Sequence, residues 1–518
     1  MDRADPYDVV PYPSVPFPQT HPDRLATIGR LFSLSTADPQ RCRYLELGCG
    51  SGMNLLCMAA LLPEAQFLGI DLAAEPIAIA QRHVAELGLR NLTFIQGDIT
   101  TIATLRTLGE YDYIVAHGVY SWVPPAVREA LLALCTAHLS AHGVAYISYN
   151  TLPGCHARQM VREMMRYHVR AIDQPRERLE QGRALLKFII DAQGGPSTYG
   201  PMLSAELDQL DSASPGSVHH DDLAEVNQPF YFHEFVAQAH GHALQYLAEA
   251  DLEPLDAQSF TPAVREALAQ MQDDLIGRQQ YLDFLECRRF RQTLLCRAER
   301  VLERQTTPLV AVRSLLYSST ATISGPSQDT AGATSTWTCK RGPRIELTTS
   351  SASVQAIVQV LTEAWPQMLD FEALRARLAA LPGPHPTSEQ LAQLLFELGS
   401  FRLIDLRSWA IPAAHRLAER PCVNRVVRWQ AATGSKVTTL NHVMVAIEGD
   451  FVRQLVQLLD GTRTVEQVID ELTQQVQTGS IKAPPQVDIS DACAVRSALL
   501  ASIPASLEGL KRLALIDS

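Results

Sequence analysis

The sequence lacks the features that would place it at once in several specialised classes of protein. No run of about 18 apolar residues occurs, so we expect no membrane-spanning helix. The first residues are charged and then rich in proline, which is unlike a signal peptide. The 10 cysteines are scattered and form no CxxC pair. We therefore expect no metal site, reduced thiols and a cytoplasmic location.

Lysine and arginine are the minority among the charged residues. They number 44 against 56 aspartates and glutamates, which gives a formal net charge of -12. Proteins that hold nucleic acid phosphates usually present a basic face, so we expect no nucleic acid partner. The chain has 518 residues, 46% of them hydrophobic, which is enough for about two to four folded domains.

Strand-like and helix-like segments alternate between residues 43 and 150. Short apolar runs predict strands, which lie at 44–47, 65–71, 92–96, 111–116 and 143–149. Helical periodicity between them predicts helices, which lie at 53–62, 75–87 and 127–139. This alternation is typical of an α/β fold with a Rossmann-like, doubly wound and mostly parallel sheet.

The rest of the chain follows other patterns. Helical periodicity dominates 155–305, where one predicted helix covers 235–250. Beyond 351, helices followed by a strand at 401–406 predict a winged-helix-like C-terminal part of α+β type, and 440–474 form a last unit. The predicted divisions are a proline-rich arm at 1–22, the sheet domain at 23–155, a helical domain at 156–316, a linker at 317–350 and a C-terminal domain at 351–518.

The strongest local motif runs from Glu46 to Gly52, between the first predicted strand and the helix that follows. Its small residues allow a sharp turn and let a ligand approach the backbone at the free N–H groups of the helix. Nicotinamide-binding proteins use G-x-G-x-x-G, whose last glycine is replaced here by Met53. The G-x-G-x-G spacing after an acid indicates S-adenosylmethionine, which has no pyrophosphate to bind.

Two further acids stand at the ends of the next two strands. Asp71 is placed to accept hydrogen bonds from both ribose hydroxyls, and Asp98 followed by Ile99 suits an adenine ring. A lone acid at a strand end is usually incidental. Three acids in order, each at the carboxyl end of a predicted strand, instead favour a common ligand. The candidate cofactor-binding residues are Glu46, Gly48, Cys49, Gly50, Asn54, Asp71, Leu72, Asp98, Ile99 and His117.

The fourth and fifth strands lead into candidate catalytic residues. His117, Tyr120 and Trp122 follow the fourth strand and are candidates for the wall of a methyl-acceptor channel. Ordinary packing is the alternative for Tyr120 and Trp122, and His117 suits a neighbour of the cofactor better than a proton acceptor. Asn150 follows the fifth strand and either orients the substrate or serves the turn.

These motifs resemble the bacterial class I methyltransferases with a methyltransferase regulatory domain. This family includes the protein lysine methyltransferases of intracellular bacteria that act on an outer-membrane protein. The segments that carry the resemblance are Tyr12 to Pro22, Glu46 to Leu56, Ala116 to Pro124, Tyr149 to Gly154, His220 to Leu223, Asn227 to Phe235, Gln245 to Leu247 and Arg288 to Leu295. The resemblance implies an arm that closes over the site and a helical regulatory or dimerisation domain. It also implies that Gly48, Gly50, Asp71 and Asp98 contact S-adenosylmethionine.

Four kinds of function follow as hypotheses. The first is a protein methyltransferase that modifies a lysine amine, for which the resemblance implies a homodimer. The second is a small-molecule or natural-product methyltransferase, which would need a confined apolar pocket. The third is a cofactor-gated binding module without catalysis. A nucleic-acid methyltransferase is the weakest, because the Asn-Pro-Pro-aromatic signature of exocyclic amine methylation is absent.

Overall fold

The computed structural model describes most of the chain. The described ranges are 12–102, 108–193, 198–252, 260–271, 273–304, 308–324, 335–339, 345–383, 385–482 and 488–518. The predicted arm at 1–22 is therefore described only from residue 12 onward. Within the described part, none of the helices combines the length and the apolar character needed to cross a bilayer.

A seven-stranded mixed sheet forms the centre of the N-terminal half, in the order β3-β2-β1-β4-β5-β7-β6. Its strands are β1 (Arg43–Leu47), β2 (Gln66–Asp71), β3 (Leu92–Gln96), β4 (Tyr111–Ala116), β5 (Leu139–Asn150), β6 (Leu244–Glu249) and β7 (Phe290–Arg297). Strands β1 to β5 pair in parallel, and β7 runs antiparallel to both β5 and β6. The predicted Rossmann-like sheet and its first five strands are confirmed.

The side chains of β1 show how the sheet separates two cores. Successive side chains of a strand point to opposite faces, and Leu45 and Leu47 join one hydrophobic cluster while Tyr44 joins the other. Glu46 therefore lies on the face of Tyr44, toward the first two helices. The helices of this region are α1 (Pro22–Leu31), α2 (Met53–Leu61), α3 (Ala74–Leu87), α4 (Ile99–Ile102) and α5 (Pro125–His138).

The middle of the chain is helical but also completes the sheet. The prediction of one helix over 235–250 is wrong, because the helix ends at Gly241 and Leu244–Glu249 form β6. Ala243 has a φ of +54° between them, which a helix does not allow. The helices here are α6 (His156–His168), α7 (Pro175–Asp191), α8 (Tyr199–Ser212), α9 (Pro215–Asp222), α10 (Phe232–Gly241), α11 (Pro262–Ala269) and α12 (Leu275–Glu286).

The segment expected to be a linker, 317–350, contains strands. After α13 (Leu309–Arg313) come β8 (Leu316–Ser318), β9 (Thr322–Ser324), β10 (Ser335–Cys339) and β11 (Ile345–Thr349). Strands β9, β10 and β11 form an antiparallel sheet, with Trp337 buried on the middle strand. Alternating Thr and apolar residues suit such strands, whereas the Ser- and Thr-rich composition alone suggested a linker.

The C-terminal region packs on the same face of the sheet as Tyr44, where its buried side chains join those of α1 and α2 in one hydrophobic cluster. Its elements are α14 (Ala352–Ala364), β12 (Leu369–Asp370), α15 (Phe371–Ala379), α16 (Ser388–Ser400), β13 (Asp405–Arg407), β14 (Cys422–Val423), α17 (Arg425–Thr433), β15 (Lys436–Thr438), β16 (Met444–Ala446), α18 (Asp450–Leu458), α19 (Val465–Gln477), α20 (Ala492–Arg512) and β17 (Ile516–Asp517). The buried carboxylate of Asp23 anchors this region to α1. It accepts hydrogen bonds from the Arg407 guanidinium at 2.9 Å and from the backbone N–H of Ser408 at 2.8 Å and Trp409 at 2.9 Å.

Candidate active site

A glycine loop joins β1 to α2 at the carboxyl edge of the sheet. Gly48, Gly50 and Gly52 have φ values of +73°, +54° and +76°, which side chains with a Cβ rarely adopt. A Cβ on Gly52 would lie 2.2 Å from the ring of Phe94. The loop therefore needs glycine for both conformation and space, and the N–H groups of Gly48 and Cys49 tie it to the Ile70 carbonyl of β2.

Asp71 holds this loop in place from the end of β2. Its Oδ2 accepts a hydrogen bond from the Gly50 N–H at 2.7 Å, and its Oδ1 accepts one from the Ala73 N–H at 2.9 Å. The next side chain, Leu72, is 57% exposed although it is large and apolar. The predicted acid thus lies beside the glycine loop, and an apolar surface lies beside the acid.

Asp98 and Ile99 follow β3, which pairs in parallel with β2. The Asp98 Oδ1 accepts hydrogen bonds from the Thr100 N–H at 2.8 Å and hydroxyl at 2.7 Å, so it caps the short helix α4. Ile99 is half-buried beside it. The structure brings both residues to the same sheet edge as Asp71, as their place in the sequence predicted.

The deepest polar group of the site is the carboxyl of Glu46. Its Oε1 accepts a hydrogen bond from the Asn54 amide at 2.8 Å. Its Oε2 is buried and has no hydrogen-bond partner among the described residues. Burial, with a smaller contribution from the nearby charge of Asp71, raises the pKa of Glu46 to about 8. The site thus presents an acceptor that suits a buried cationic ligand group.

Residues 12–20, which we name the strap, cross the glycine loop. The Phe17 N–H donates to the Asn54 Oδ1 at 2.9 Å, and the Met53 N–H donates to the Ser14 hydroxyl at 3.3 Å. The Tyr12 hydroxyl reaches Asp221 of α9 at 3.5 Å. The strap thereby extends from helix α9 to the amino terminus of α2.

His117 lies at the carboxyl end of β4 beneath the strap. Its Nδ1 is 2.8 Å from the Tyr146 hydroxyl, and its ring centroid is 4.0 Å from that of Phe17 and 6.1 Å from that of Phe290. Burial lowers the pKa of His117 to about 4, so the ring is neutral at physiological pH. Aromatic rings therefore enclose the position that follows β4.

The other catalytic candidates lie in different surroundings. Tyr120 is fully buried, packs against Tyr149, Phe230 and Phe235, and donates its hydroxyl hydrogen to Gln238 at 2.5 Å. Its environment matches the packing alternative rather than the wall of a channel.

Trp122 and Asn150 complete the set of candidates. Trp122 is half-buried, and its Nε1 has no hydrogen-bond partner among the described residues. The Asn150 amide donates to the Asn227 Oδ1 at 2.9 Å, and its backbone carbonyl accepts from the Phe230 N–H at 3.0 Å. Asn150 therefore ties the end of β5 to the loop before α10.

Several residues of the site were not among the candidates that the order of strands and motifs identified in the sequence. Phe17, Tyr146 and Phe290 surround His117, and His442 of the C-terminal region contacts Asn54 with its Nε2 at 2.7 Å from the amide oxygen. These residues come from segments far apart in the chain, so local spacing does not connect them. Candidates such as Glu46, the glycines and Asp71 are recognisable before folding because they follow the order of the strands.

The sheet order and the acid-flanked glycine loop define a Rossmann-like methyltransferase, and comparison with known families supports this class. Residues 45–143 match the family described as a methyltransferase domain. Residues 214–297 match a predicted methyltransferase regulatory domain, and residues 419–515 match the C-terminal winged helix domain of PKMT. The winged helix thus covers the last unit of the chain.

Similar proteins occur in Rickettsia. Uncharacterized protein RP789 of R. prowazekii is 41% identical over 56% of this chain and 52% of its own length. Uncharacterized protein RP028 of the same strain is 37% identical over 45% of this chain and 93% of its own length. The alignment therefore spans about half the length of RP789.

Two solved structures are similar to this chain over nearly its full length. PKMT2 from Rickettsia typhi has a TM-score of 0.83 and 26% identity, with 98% of this chain and 100% of that chain covered. PKMT2 in complex with AdoHcy gives the same TM-score at 25% identity. The chain belongs to the class I S-adenosylmethionine-dependent methyltransferases that carry a methyltransferase regulatory domain and a C-terminal winged helix.

Proposed function

We propose that this chain binds S-adenosylmethionine at the glycine loop and methylates a lysine amine of a protein. The observation that carries the proposal is the buried, unpartnered Oε2 of Glu46 beside a glycine loop that Asp71 holds. S-adenosylmethionine carries an ammonium group at its amino-acid end, and a buried carboxylate is stable when such a charge pairs with it. The ligand's chemistry therefore fits the residues present.

Four other cofactor candidates would contact the remaining parts of the ligand. Asp71 would hold the ribose hydroxyls, since a carboxylate accepts two hydroxyl hydrogen bonds. Leu72 and Ile99 would pack on the adenine ring, and Asp98 would accept a hydrogen bond from its amino group. Cys49 lies buried on the loop.

Transfer requires a neutral acceptor amine in line with the methyl group. S-adenosylmethionine, when bound, supplies that methyl group on a positively charged sulfur. The rings of Phe17, His117 and Phe290 would keep water away from the amine, and a dry environment lowers the pKa of an ammonium. Because the pKa of His117 is held near 4, its role is to shape and dry the site rather than to take the proton.

The choice of lysine rests on the relatives. The winged-helix family and the R. typhi structures bear the name PKMT, which denotes protein lysine methyltransferases. We extend the proposal to a protein substrate, a cytoplasmic location and a homodimer. The free thiols of all ten cysteines suit a reducing compartment. Light scattering of the full chain measures whether it is dimeric.

The acceptor is tested with methyl-labelled S-adenosylmethionine and protein extracts whose lysine amines are either free or chemically blocked. We expect label in protein, located on lysine by mass spectrometry, and lost when the amines are blocked. The Asp71→Ala variant serves as the control for catalysis by this chain. Label that persists on blocked protein, or that enters only small molecules, would refute the lysine proposal.

A further inference from the structure

Asn54 stands at the centre of a saturated hydrogen-bond network. Its amide oxygen accepts from the Phe17 N–H at 2.9 Å and from the His442 Nε2 at 2.7 Å. Its amide nitrogen donates to the Glu46 Oε1 at 2.8 Å and to the Thr20 hydroxyl at 3.0 Å. A backbone N–H can only donate, so the contact with Phe17 fixes which end of the amide is oxygen.

His442 reaches this network from the winged-helix domain, on the turn between β15 and β16. It is 2% exposed, and its backbone φ of +63° lies in the left-handed region. Burial, then His21 and the charge of Arg407, hold the pKa of His442 well below its ordinary value, so the ring is neutral. Because the Asn54 oxygen is an acceptor, the single ring proton is on Nε2. Non-glycine residues persist in this conformation where their surroundings require it.

Glu46 gains its orientation from this network. Asn54 holds the Oε1 of Glu46, which leaves the Oε2 buried without a described hydrogen-bond partner. The loss of one donor on the Asn54 oxygen would leave that buried acceptor undersatisfied and free the amide to turn. Such a turn would release the Glu46 carboxyl from its position.

We propose that His442 is a positioning residue of the winged-helix domain for the cofactor site, acting through Asn54 to orient Glu46 toward the amino-acid end of the ligand. The inference rests on the proposed function, because it assumes that the ligand places its ammonium at Glu46. The C-terminal domain then completes the cofactor site rather than merely packing beside it.

The test compares His442→Gln with His442→Met. The two replacements have similar length and volume and meet the same backbone strain, but only glutamine keeps an N–H donor at the reach of Nε2. The probes are S-adenosylhomocysteine, which has the ammonium, and 5′-methylthioadenosine, which lacks the amino-acid end. We expect the His442→Met variant to bind S-adenosylhomocysteine about tenfold more weakly than the wild type, whereas the His442→Gln variant should retain most of the affinity. Methylthioadenosine should bind equally to both variants and to the wild type.

Gln430→Met is the matched control. Gln430 is also buried in the winged-helix domain and contacts α2 at the Met53 sulfur, 3.3 Å away, without touching Asn54. The Gln430→Met variant should leave the ratio of the affinities for S-adenosylhomocysteine and methylthioadenosine unchanged. Equal weakening of both ligands by His442→Met, or no weakening, would overturn the inference, while wild-type binding of S-adenosylhomocysteine would leave the proposed cofactor site standing. Wild-type protein that binds neither ligand would overturn both.

Discussion

At the scale of single residues, the protonation of Glu46 is the property that ligand binding should change. Burial raises the pKa of Glu46 from 4.5 to about 8, so the carboxyl is protonated in the free protein at neutral pH. Because the pKa is higher in the folded state, Glu46 makes its full contribution to the free energy of unfolding below pH 4.5. That contribution is lost as the pH rises through 8. A ligand ammonium beside the carboxyl would reverse the shift.

Binding of S-adenosylhomocysteine at pH 7 should therefore release close to one proton from Glu46. Calorimetric titrations in buffers of different ionisation enthalpy measure this release. The Glu46→Gln variant should release none and should bind more weakly. Proton release of the same size from that variant would show that another group is responsible.

Asp71 should contribute to ligand affinity in two ways, by holding the glycine loop and by binding the ligand itself. Its replacement by alanine removes the acceptor of the Gly50 N–H and the expected acceptor of the ribose hydroxyls. Charged hydrogen bonds contribute about 1.5–3 kcal/mol, so the Kd for S-adenosylhomocysteine should rise at least about tenfold. The control is Asp112→Ala, since Asp112 accepts from the Arg43 N–H at the opposite edge of the sheet. Equal losses in both variants would contradict a specific role for Asp71.

At the scale of elements, the strap should close the site through the ring of Phe17. Phe17→Ala keeps the backbone hydrogen bond to Asn54 but removes the ring that lies 4.0 Å from His117. We expect weaker ligand binding and slower methyl transfer, because water then reaches the acceptor position. Tyr12→Phe, which loses the hydroxyl contacts with Asp221 and Ser217 but no contact with His117, should change neither quantity. Stopped-flow binding and initial rates measure the difference, and a fully active Phe17→Ala variant would contradict the role of the strap.

Sheet elements were predictable where the pattern was local. Strands β1 to β5 are short apolar runs separated by clear helices, and the glycine loop and Asp71 follow from their order. Strand β6 was missed because Leu244–Glu249 is buried on almost every residue, so it lacks the alternation of a half-exposed strand. Phe290 entered the sequence analysis only within a segment of family resemblance, and nothing local marks His442, because tertiary packing brings both residues to the site.

At the scale of the whole molecule, Asp23 joins the first helix to the C-terminal region. It is 1% exposed and pairs with Arg407 at 2.9 Å. Asp23→Ala leaves the guanidinium and two backbone N–H groups without their acceptor, so it should destabilise the protein by about 3 kcal/mol. Scanning calorimetry should show the loss as earlier unfolding of the C-terminal region.

The control for this prediction is an exposed ion pair. Arg41 and Glu64 lie 3.0 Å apart with side chains 76% and 66% exposed. Glu64→Ala should change stability by no more than about 1 kcal/mol, since exposed ion pairs contribute little. A comparable loss of stability in both variants would show that Asp23 has no special role in joining the two regions.

The central claim is that the glycine loop, Glu46 and Asp71 bind the methyl donor. A crystal structure of the full chain with S-adenosylhomocysteine tests this most directly. We predict the ligand's amino group within hydrogen-bonding distance of the Glu46 Oε2, its ribose hydroxyls on Asp71 and its adenine against Ile99. Ligand bound elsewhere on the sheet, or with its amino group turned away from Glu46, would contradict the account.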